Sequence, residues 1–249
     1  ILGDNFKIGD GIFVLNNFEL NKLNLTEKEK TLIQPYYTTN ELGRFFGNKN
    51  NKYWIIYTTS DFNNNKKIIE YPNIQNHLDK YKMVITSDNK PYGLHRARNE
   101  SFFKGEKIIS LRKCQHKPTF TYTDFDCYVS AMFYIIKTNR VNLKFLTGFL
   151  NSSICAFWLR YKGKMQGNNY QIDKEPLLNI PIPLPSEKIQ KSIVNLVDEI
   201  LDIKAKNLQA DTTDLEVKID WIIFQHYDLT EKDISIVEEN VSNDLKQTI

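Results

Sequence analysis

Residues 143–161 read LKFLTGFLNSSICAFWLRY and form the longest apolar run of the chain. Polar and charged side chains interrupt this run, among them Lys144, Asn151, Ser152, Ser153 and Arg160. The pattern therefore predicts an amphipathic helix buried in a globular core, and not a membrane span. Asn142 suits the N-cap of such a helix, and Gly163 suits its end.

An amide-rich segment, KGKMQGNNYQ (162–171), follows this helix and leads to the proline-rich PLLNIPIPLP (176–185). We expect the first to be a loop and the second to be extended, because four prolines in ten residues restrict the backbone. Side-chain amides can offer a donor and an acceptor together to a base edge, and lysines bind phosphate. The base-reading candidates here are Gln166, Asn168, Asn169 and Gln171, and the phosphate candidates are Lys162 and Lys164. A connector that only turns the chain is the alternative.

The charge of the chain changes sign after position 186. Residues 187–249 hold 7 Lys or Arg against 14 Asp or Glu, whereas the residues before them hold 26 against 16. A serine-capped amphipathic helix is predicted over 186–208, and further helices over 214–227 and from 230 onwards. We therefore expect two domains, a basic α+β module (1–185) and an acidic helical spacer or dimerisation region (186–249). Only the basic module suits a phosphate-binding surface.

The basic module combines short strands with a few helices. β-branched and aromatic residues predict strands at 12–15, 53–59, 82–86, 106–113 and 119–137, the last broken by a turn at 124–126. A short helix is expected over 69–81, following Tyr71-Pro72. The chain begins ILGDNFKIGDG, without a methionine or a signal sequence, and we interpret it as part of a longer protein.

Catalytic motifs are missing from the sequence: GxGxxG, GxxxxGK(S/T), HExxH and GxSxG do not occur. Asp124 and Asp126 suit a turn between strands, and Glu216-Val217-Lys218 suits a solvated helix face. The three cysteines are too scattered for a disulfide framework and favour a reducing cytoplasm. Although Cys114 lies two residues before His116, there is no CxxC pair, and we expect no metal site.

The segment 90–117 carries a concentration of positive charge, with eight Lys or Arg against Glu100 and Glu106. Arginine can bind guanine through two hydrogen bonds, and lysine mostly fixes the protein on phosphates. The base-reading candidates in this segment are Arg96, Arg98 and Arg112, and the phosphate candidates are Lys104, Lys107, Lys113 and Lys117. A solvated surface without a nucleic-acid partner is the alternative interpretation.

Several stretches together resemble the C-terminal specificity region of type IIG restriction–modification enzymes and of their TaqI-like methyltransferase relatives. The similar stretches are FKIGDGI (6–12), IQPYYTTNELGRFF (33–46), YWIIYT (53–58), 92–138 with its FFKGEKIISLR strand, 143–185 with LKFLTGFLNS and IPIPLP, and IDWIIFQHYDLTEKDISIVEEN (219–240). This resemblance covers essentially the whole chain and implies a target-recognition domain for double-stranded DNA.

In that family an adenine-N6 methyltransferase domain precedes the specificity region, and type IIG members add a nuclease. The string NPP of the methyltransferase motif does not occur in this chain. The resemblance therefore implies a recognition module without catalytic residues and without a cofactor of its own. S-adenosylmethionine, and Mg²⁺ where a nuclease exists, are expected only in other domains of the parent protein. The acidic helices are expected to pack on the methyltransferase domain or to form a homo-oligomer.

Three alternatives stay open at this point. The chain could be an enzyme whose motif is not recognised, a protein-interaction scaffold built on the 186–208 helix, or a single-stranded RNA-binding module with exposed aromatic side chains. Salt dependence of duplex binding separates the scaffold from a DNA reader, because neutralising phosphates releases counterions.

Overall fold

The computed structural model describes residues 9–63 and 65–246, so the start of FKIGDGI lies outside the described residues. The strands are β1 Val14–Asn16, β2 Ile33–Tyr36, β3 Phe45–Phe46, β4 Tyr53–Ile56, β5 Lys107–Leu111, β6 Lys113–Gln115, β7 Phe120–Thr123, β8 Phe133–Ile136, β9 Lys164–Gln166 and β10 Asn169–Gln171. The α-helices are α1 Asn17–Asn21, α2 Glu27–Lys30, α3 Asn65–Ile68, α4 Pro72–Asp79, α5 Leu143–Leu150, α6 Ser153–Lys162, α7 Lys174–Leu178, α8 Glu187–Lys206, α9 Thr213–His226 and α10 Glu231–Lys246.

These elements form an α+β protein of two compact units. Within the described residues, the first unit comprises 9–38, 50–104 and 126–129, and the second comprises 39–49, 105–125 and 130–246. The compact units do not follow the expected boundary at 185/186. Helix α8 packs against α5 and α9, and Ile193, Val197 and Ile200 of α8 are buried in the core of the second unit. The apolar face of α8 is thus buried inside the second unit.

The first unit is built on an antiparallel sheet with strand order β1-β4-β2. Leu15 and Ile56 from this sheet share a core with Ile74 and Leu78 of helix α4. Pro72 occupies the first turn of α4 as expected, because the N–H that proline lacks has no helical partner there. The predicted strand over 82–86 is wrong: these residues form turns and irregular structure at the end of α4.

The second unit contains a four-stranded sheet of order β3-β7-β5-β8. The predicted strands at 106–113 and 119–137 are confirmed here, with β5 pairing antiparallel to both β7 and β8. Helix α5 covers this sheet, and Phe145, Leu146 and Phe149 belong to the same core as Ile108 and Phe120. The 143–161 run is central to the fold because its first helix, α5, covers the four-stranded sheet and shares a core with it.

The run 143–161 forms two helices where one was expected. Asn142 caps α5 by accepting hydrogen bonds from the backbone N–H groups of Lys144 and Phe145, as predicted. The chain then breaks at Asn151 and Ser152, and Ser152 caps α6 by accepting from the N–H of Cys155. Two polar residues that bond to the backbone compete with helix continuation at this point. Gly163 ends α6 as predicted.

A half-buried arginine joins four segments of the second unit. The Arg44 guanidinium donates to the Glu216 carboxylate at 2.9 Å, to the carbonyl oxygen of Pro118 at 3.0 Å and to Asn151 Oδ1 at 3.1 Å. It also donates to the main-chain oxygen of Asn151. Arg44 therefore ties β3, the entry to β7, the α5–α6 break and α9 together.

The proline-rich segment begins with part of a short helix, and residues 180–185 form neither helix nor strand. Residues 174–178 form helix α7, and Pro176 lies within its first turn, where the absent N–H breaks no helical hydrogen bond. No helix in the described residues is long and apolar enough to cross a membrane.

Candidate nucleic-acid interface

A second, three-stranded sheet in the second unit is made from the two segments that the sequence singled out. Its order is β6-β10-β9, so the basic stretch supplies one strand and the amide-rich segment supplies two. The antiparallel register forms two cross-strand rows: Lys113, Gln171 and Lys164, then Gln115, Asn169 and Gln166. The amide-rich segment is thus a hairpin, and the expectation of a loop is corrected.

The two faces of this sheet differ completely. On one face, Tyr170 is 1% exposed and Cys114 is 2% exposed, and Met165 packs against the same core. Burial raises the pKa of the Cys114 thiol, which donates to the carbonyl oxygen of Leu111 at 3.2 Å. Because side chains alternate along a strand, the other face presents the six residues of the two rows to solvent. We call this the polar strand face: Lys113, Gln115, Lys164, Gln166, Asn169 and Gln171.

The turn of the hairpin depends on Gly167. Its φ is +61°, a conformation that glycine adopts without the steric cost that other residues incur. Two-residue hairpin turns require such a residue at their first central position in the type II′ form. Tyr170, the central residue of β10 opposite Met165, anchors the hairpin to the core, since an aromatic side chain of this size buries about 150–250 Å². The hairpin is therefore fixed both at its turn and on its inner face.

Hydrogen bonds orient part of the polar strand face. Gln166 Nε2 donates to Gln171 Oε1 at 3.2 Å, and Gln171 Nε2 donates to Asp173 Oδ1 at 3.2 Å. The Lys164 ammonium lies 3.3 Å from the other carboxylate oxygen of Asp173. The Gln171 amide holds the pKa of the Asp173 carboxyl below its usual range, and the charges of Lys164 and Arg112 act in the same direction. Asp173 therefore stays ionised and positions Gln171 and Lys164.

Arg112 lies where the chain passes from the four-stranded sheet (β5) into the three-stranded sheet (β6). Its N–H donates to the carbonyl oxygen of Met132 at 3.0 Å, and its carbonyl accepts from the N–H of Ile172 at 2.8 Å. The exposed guanidinium lies 4.9 Å from the centre of the Tyr134 ring, a cation–π distance. One of its nitrogens is 3.5 Å from the carbonyl oxygen of Ala131. This side chain is thus held next to the polar strand face and is oriented by an aromatic ring.

Lys107 does not present its charge to a phosphate in this structure. The side chain is fully buried, and its ammonium donates to the carbonyl oxygens of Gly105 and Phe125 at 2.6 Å each. A buried ammonium requires such acceptors because burying an unpaired charge is very costly. The predicted phosphate contact at Lys107 is therefore replaced by a structural role at the start of β5.

Three further candidates belong to the first unit. The Arg98 guanidinium donates to the carbonyl oxygen of Val129 at 2.6 Å and lies 5.0 Å from the Phe103 ring, and burial lowers its pKa. The Lys104 ammonium pairs with Asp126 at 3.0 Å. Arg96 is exposed, with a φ of +53°. Arg98 and Lys104 thus have partners inside the first unit, and the DNA contacts proposed for all three remain predictions.

The remaining candidates flank the polar strand face. Lys117 follows β6 and is partly buried, and Asn168 occupies the hairpin turn beside Gly167. Lys162 is exposed at the end of α6, 5.9 Å from the Trp158 ring centre. Sequence reasoning missed Gln115, which stands directly opposite Asn169. The alternation Lys113–Cys114–Gln115 carried the signal, because a buried cysteine between two polar residues places both of them on the outer face of a strand.

The described part of the chain offers no cluster of three or more His, Cys, Asp or Glu side chains arranged to hold a metal ion. The chemistry of the polar strand face is that of hydrogen bonding and positive charge. Four amides provide paired donors and acceptors, two lysines and the adjacent Arg112 provide charge, and none of the six face residues is acidic. Such a surface suits recognition of an anionic polymer that exposes donors and acceptors.

The chain is similar to proteins of restriction–modification systems. A family model described as the TaqI-like C-terminal specificity domain matches residues 34–182, more than half of the chain, and includes the entire polar strand face. Type II methyltransferase M.MjaIV of Methanocaldococcus jannaschii is 28% identical over 243 residues, covering 90% of this chain and 79% of that protein. Type II methyltransferase M.HincII of Haemophilus influenzae is 29% identical over 214 residues, and the match spans 77% of this chain but only 42% of that protein.

A solved structure supports the fold. The type IIL restriction–modification enzyme MmeI, determined in complex with DNA, superimposes with a TM-score of 0.68 over 94% of this chain and 34% of its own length, at 14% sequence identity. At this identity the similarity concerns the α+β architecture alone. Together with the family match to residues 34–182, these findings establish that the chain belongs to the TaqI-like C-terminal specificity domains, the target-recognition domains of restriction–modification enzymes.

Proposed function

We propose that this chain recognises a specific sequence in double-stranded DNA and reads its bases with the polar strand face. The observation that carries this proposal is the two-row array of exposed amides and lysines on β6, β10 and β9. The major groove admits a two-stranded β-ribbon, and its base edges present distinct patterns of donors and acceptors. The β9–β10 hairpin, with Arg112 beside it, supplies side chains that match these patterns.

The two rows suit different parts of the DNA, one the phosphates and the other the base edges. Lys113 and Lys164 stand at the two ends of one row and suit phosphates on either side of the groove, whereas Gln115 and Asn169 are exposed amides in the other row. Adenine accepts and donates through N7 and N6, which an Asn or Gln amide matches with two hydrogen bonds. We infer that Arg112 binds a guanine in the same way.

The parent protein completes the reaction in this proposal. Its methyltransferase domain would bind S-adenosylmethionine and methylate an adenine that is flipped out of the duplex, while this chain holds the target site and transfers no methyl group itself. Mg²⁺ would be needed only where the parent also carries a nuclease. Exposed Val217 and Trp221 on α9 suit packing on the methyltransferase domain or on a second copy of the chain.

Selection from a randomised duplex pool tests sequence recognition. We expect the 249-residue chain to enrich one short motif, and Arg112→Lys to relax one position of that motif with about tenfold weaker binding, because the lysine ammonium lacks the planar, preorganised pair of donors with which arginine binds guanine. Arg140→Lys, at an exposed arginine outside the site, serves as the control and should leave the motif unchanged. Enrichment of no motif by the unmodified chain would refute the proposal.

Salt dependence tests the lysine contacts. Replacing Lys113 and Lys164 together with alanine is expected to weaken binding equally for all duplexes and to reduce the slope of log K against log salt by about two, since each phosphate contact contributes about 0.9. Lys188 and Lys191 on α8 are exposed lysines outside the family match, and their double alanine variant is the control. An unchanged slope in the Lys113/Lys164 variant would place the phosphate contacts elsewhere.

A further inference from the structure

An exposed methionine lies beside Arg112. Met132 is 60% exposed and belongs to a tight turn in which the N–H of Phe133 donates to the carbonyl oxygen of Ser130 at 3.2 Å. The N–H of Met132 itself donates to Ser130 Oγ at 3.2 Å, and its carbonyl accepts from Arg112. The backbone of Met132 is therefore fixed from two directions, while its side chain is open to solvent.

Arg112 connects this methionine to the polar strand face. The guanidinium lies near the carbonyl oxygen of Ala131 and the ring of Tyr134, and its positive charge helps to lower the pKa of the Asp173 carboxyl. Asp173 in turn binds Gln171 and Lys164 of the face. Met132 and Arg112 are thus neighbours on the surface of the second unit, and Arg112 directly precedes Lys113 of the polar strand face.

The chemistry of base edges indicates what an exposed methionine on such a surface contacts. The methyl group of thymine is the one apolar group that the major groove presents, and it is recognised by apolar side chains. Methionine is flexible, apolar and polarisable, so it adapts to a small apolar target. We infer that Met132 contacts the C5-methyl group of a thymine next to the base pair that Arg112 reads, an inference that rests on the proposed function.

An apolar side chain can also bind DNA as a wedge between base steps from the minor groove. The neighbours of Met132 favour the major groove, because Arg112 and the amides carry paired donors that suit the richer pattern of that groove. The two modes respond differently to removal of a single thymine methyl group, which weakens a methyl contact but leaves a wedge contact in place.

Single thymine-to-uracil replacements in the selected site provide the test, because deoxyuridine lacks only the C5-methyl group. We expect one such replacement to weaken binding of the unmodified chain about fourfold, the value for one buried methyl group. The same replacement should have no effect on Met132→Ala, and Met132→Leu should restore most of the sensitivity. Met83→Ala is the matched control, since Met83 is 92% exposed in the first unit.

Several outcomes would overturn the contact. The first is a selected motif that contains no thymine. The second is that the loss of binding caused by uracil and the loss caused by Met132→Ala simply add. The third is that Met132→Ala weakens binding to a site at which no thymine-to-uracil replacement has an effect. The last result would identify a wedge. If no motif is selected at all, the proposed function fails together with the methionine contact, whereas additive effects on a clear motif remove only the methionine contact.

Discussion

Replacing Gln115 and Asn169 together with alanine is expected to reduce the preference of the chain for its own DNA site over a scrambled duplex by about 30-fold or more. The two amides face each other across β6 and β10, and both are exposed. Each correct pair of hydrogen bonds to a base discriminates by about 1–3 kcal/mol, and two such contacts are lost. Affinity for the scrambled duplex should change little, because the lysines are retained.

Fluorescence anisotropy titrations against both duplexes measure this ratio. Gln209→Ala with Gln225→Ala is the matched control, since both are exposed glutamines of the second unit outside the polar strand face. The thermal midpoint of each variant should remain that of the unmodified chain, because exposed substitutions seldom change stability by more than about 0.5 kcal/mol. Equal losses on both duplexes would show that the amides do not read bases.

A second large effect is expected on stability. Arg44→Ala should lower the free energy of unfolding of the second unit by about 3–5 kcal/mol, because it removes four hydrogen bonds and the positive charge beside the partly buried Glu216 carboxylate. Urea denaturation followed by tryptophan fluorescence measures the change, since Trp158 and Trp221 both belong to this unit.

Arg140→Ala is the control for Arg44, because Arg140 is exposed and should cost no more than about 0.5 kcal/mol. A loss below about 1 kcal/mol in Arg44→Ala would mean that water replaces the guanidinium and that the four segments hold together without it. Arg44 represents the arginines that support the fold, and Arg140 represents those whose side chains are exposed. Comparing the two variants separates these classes, which the total positive charge of the chain does not distinguish.

Much of the architecture could be predicted from local sequence. The apolar run located the helical segment 143–161, although as one helix and not as two. Asn142 and Ser186 were correct N-caps, and β-branched residues located β5, β7 and β8. Caps and hydrophobic periods act over three or four residues, so the sequence carries them directly. The strand predicted at 82–86 failed because β propensity depends on a neighbouring strand, and none of the described strands pairs with this segment.

The candidate site could be predicted only in part. The amides and lysines of 162–171 were correctly separated from the core, but their grouping with Lys113 and Gln115 requires strand pairing across more than fifty positions. Lys107 looked like an ordinary surface lysine in the sequence, and only the surrounding carbonyl groups show that its charge is buried. The DNA contacts of the individual side chains stay predictions.

By itself, the sequence determined the α+β class, the caps at Asn142 and Ser186, the segregation of charge and the family resemblance, because these depend on residue type and short-range period. The tertiary structure decided which face the amides share, which basic residues are internal and where Met132 stands. The alternation of side chains within a strand assigns each residue to one of two faces, but it does not determine which other strand pairs with it. Here the partner is selected because Tyr170 and Cys114 are buried in one core, and their pairing brings Lys113, Gln115 and the hairpin into one surface.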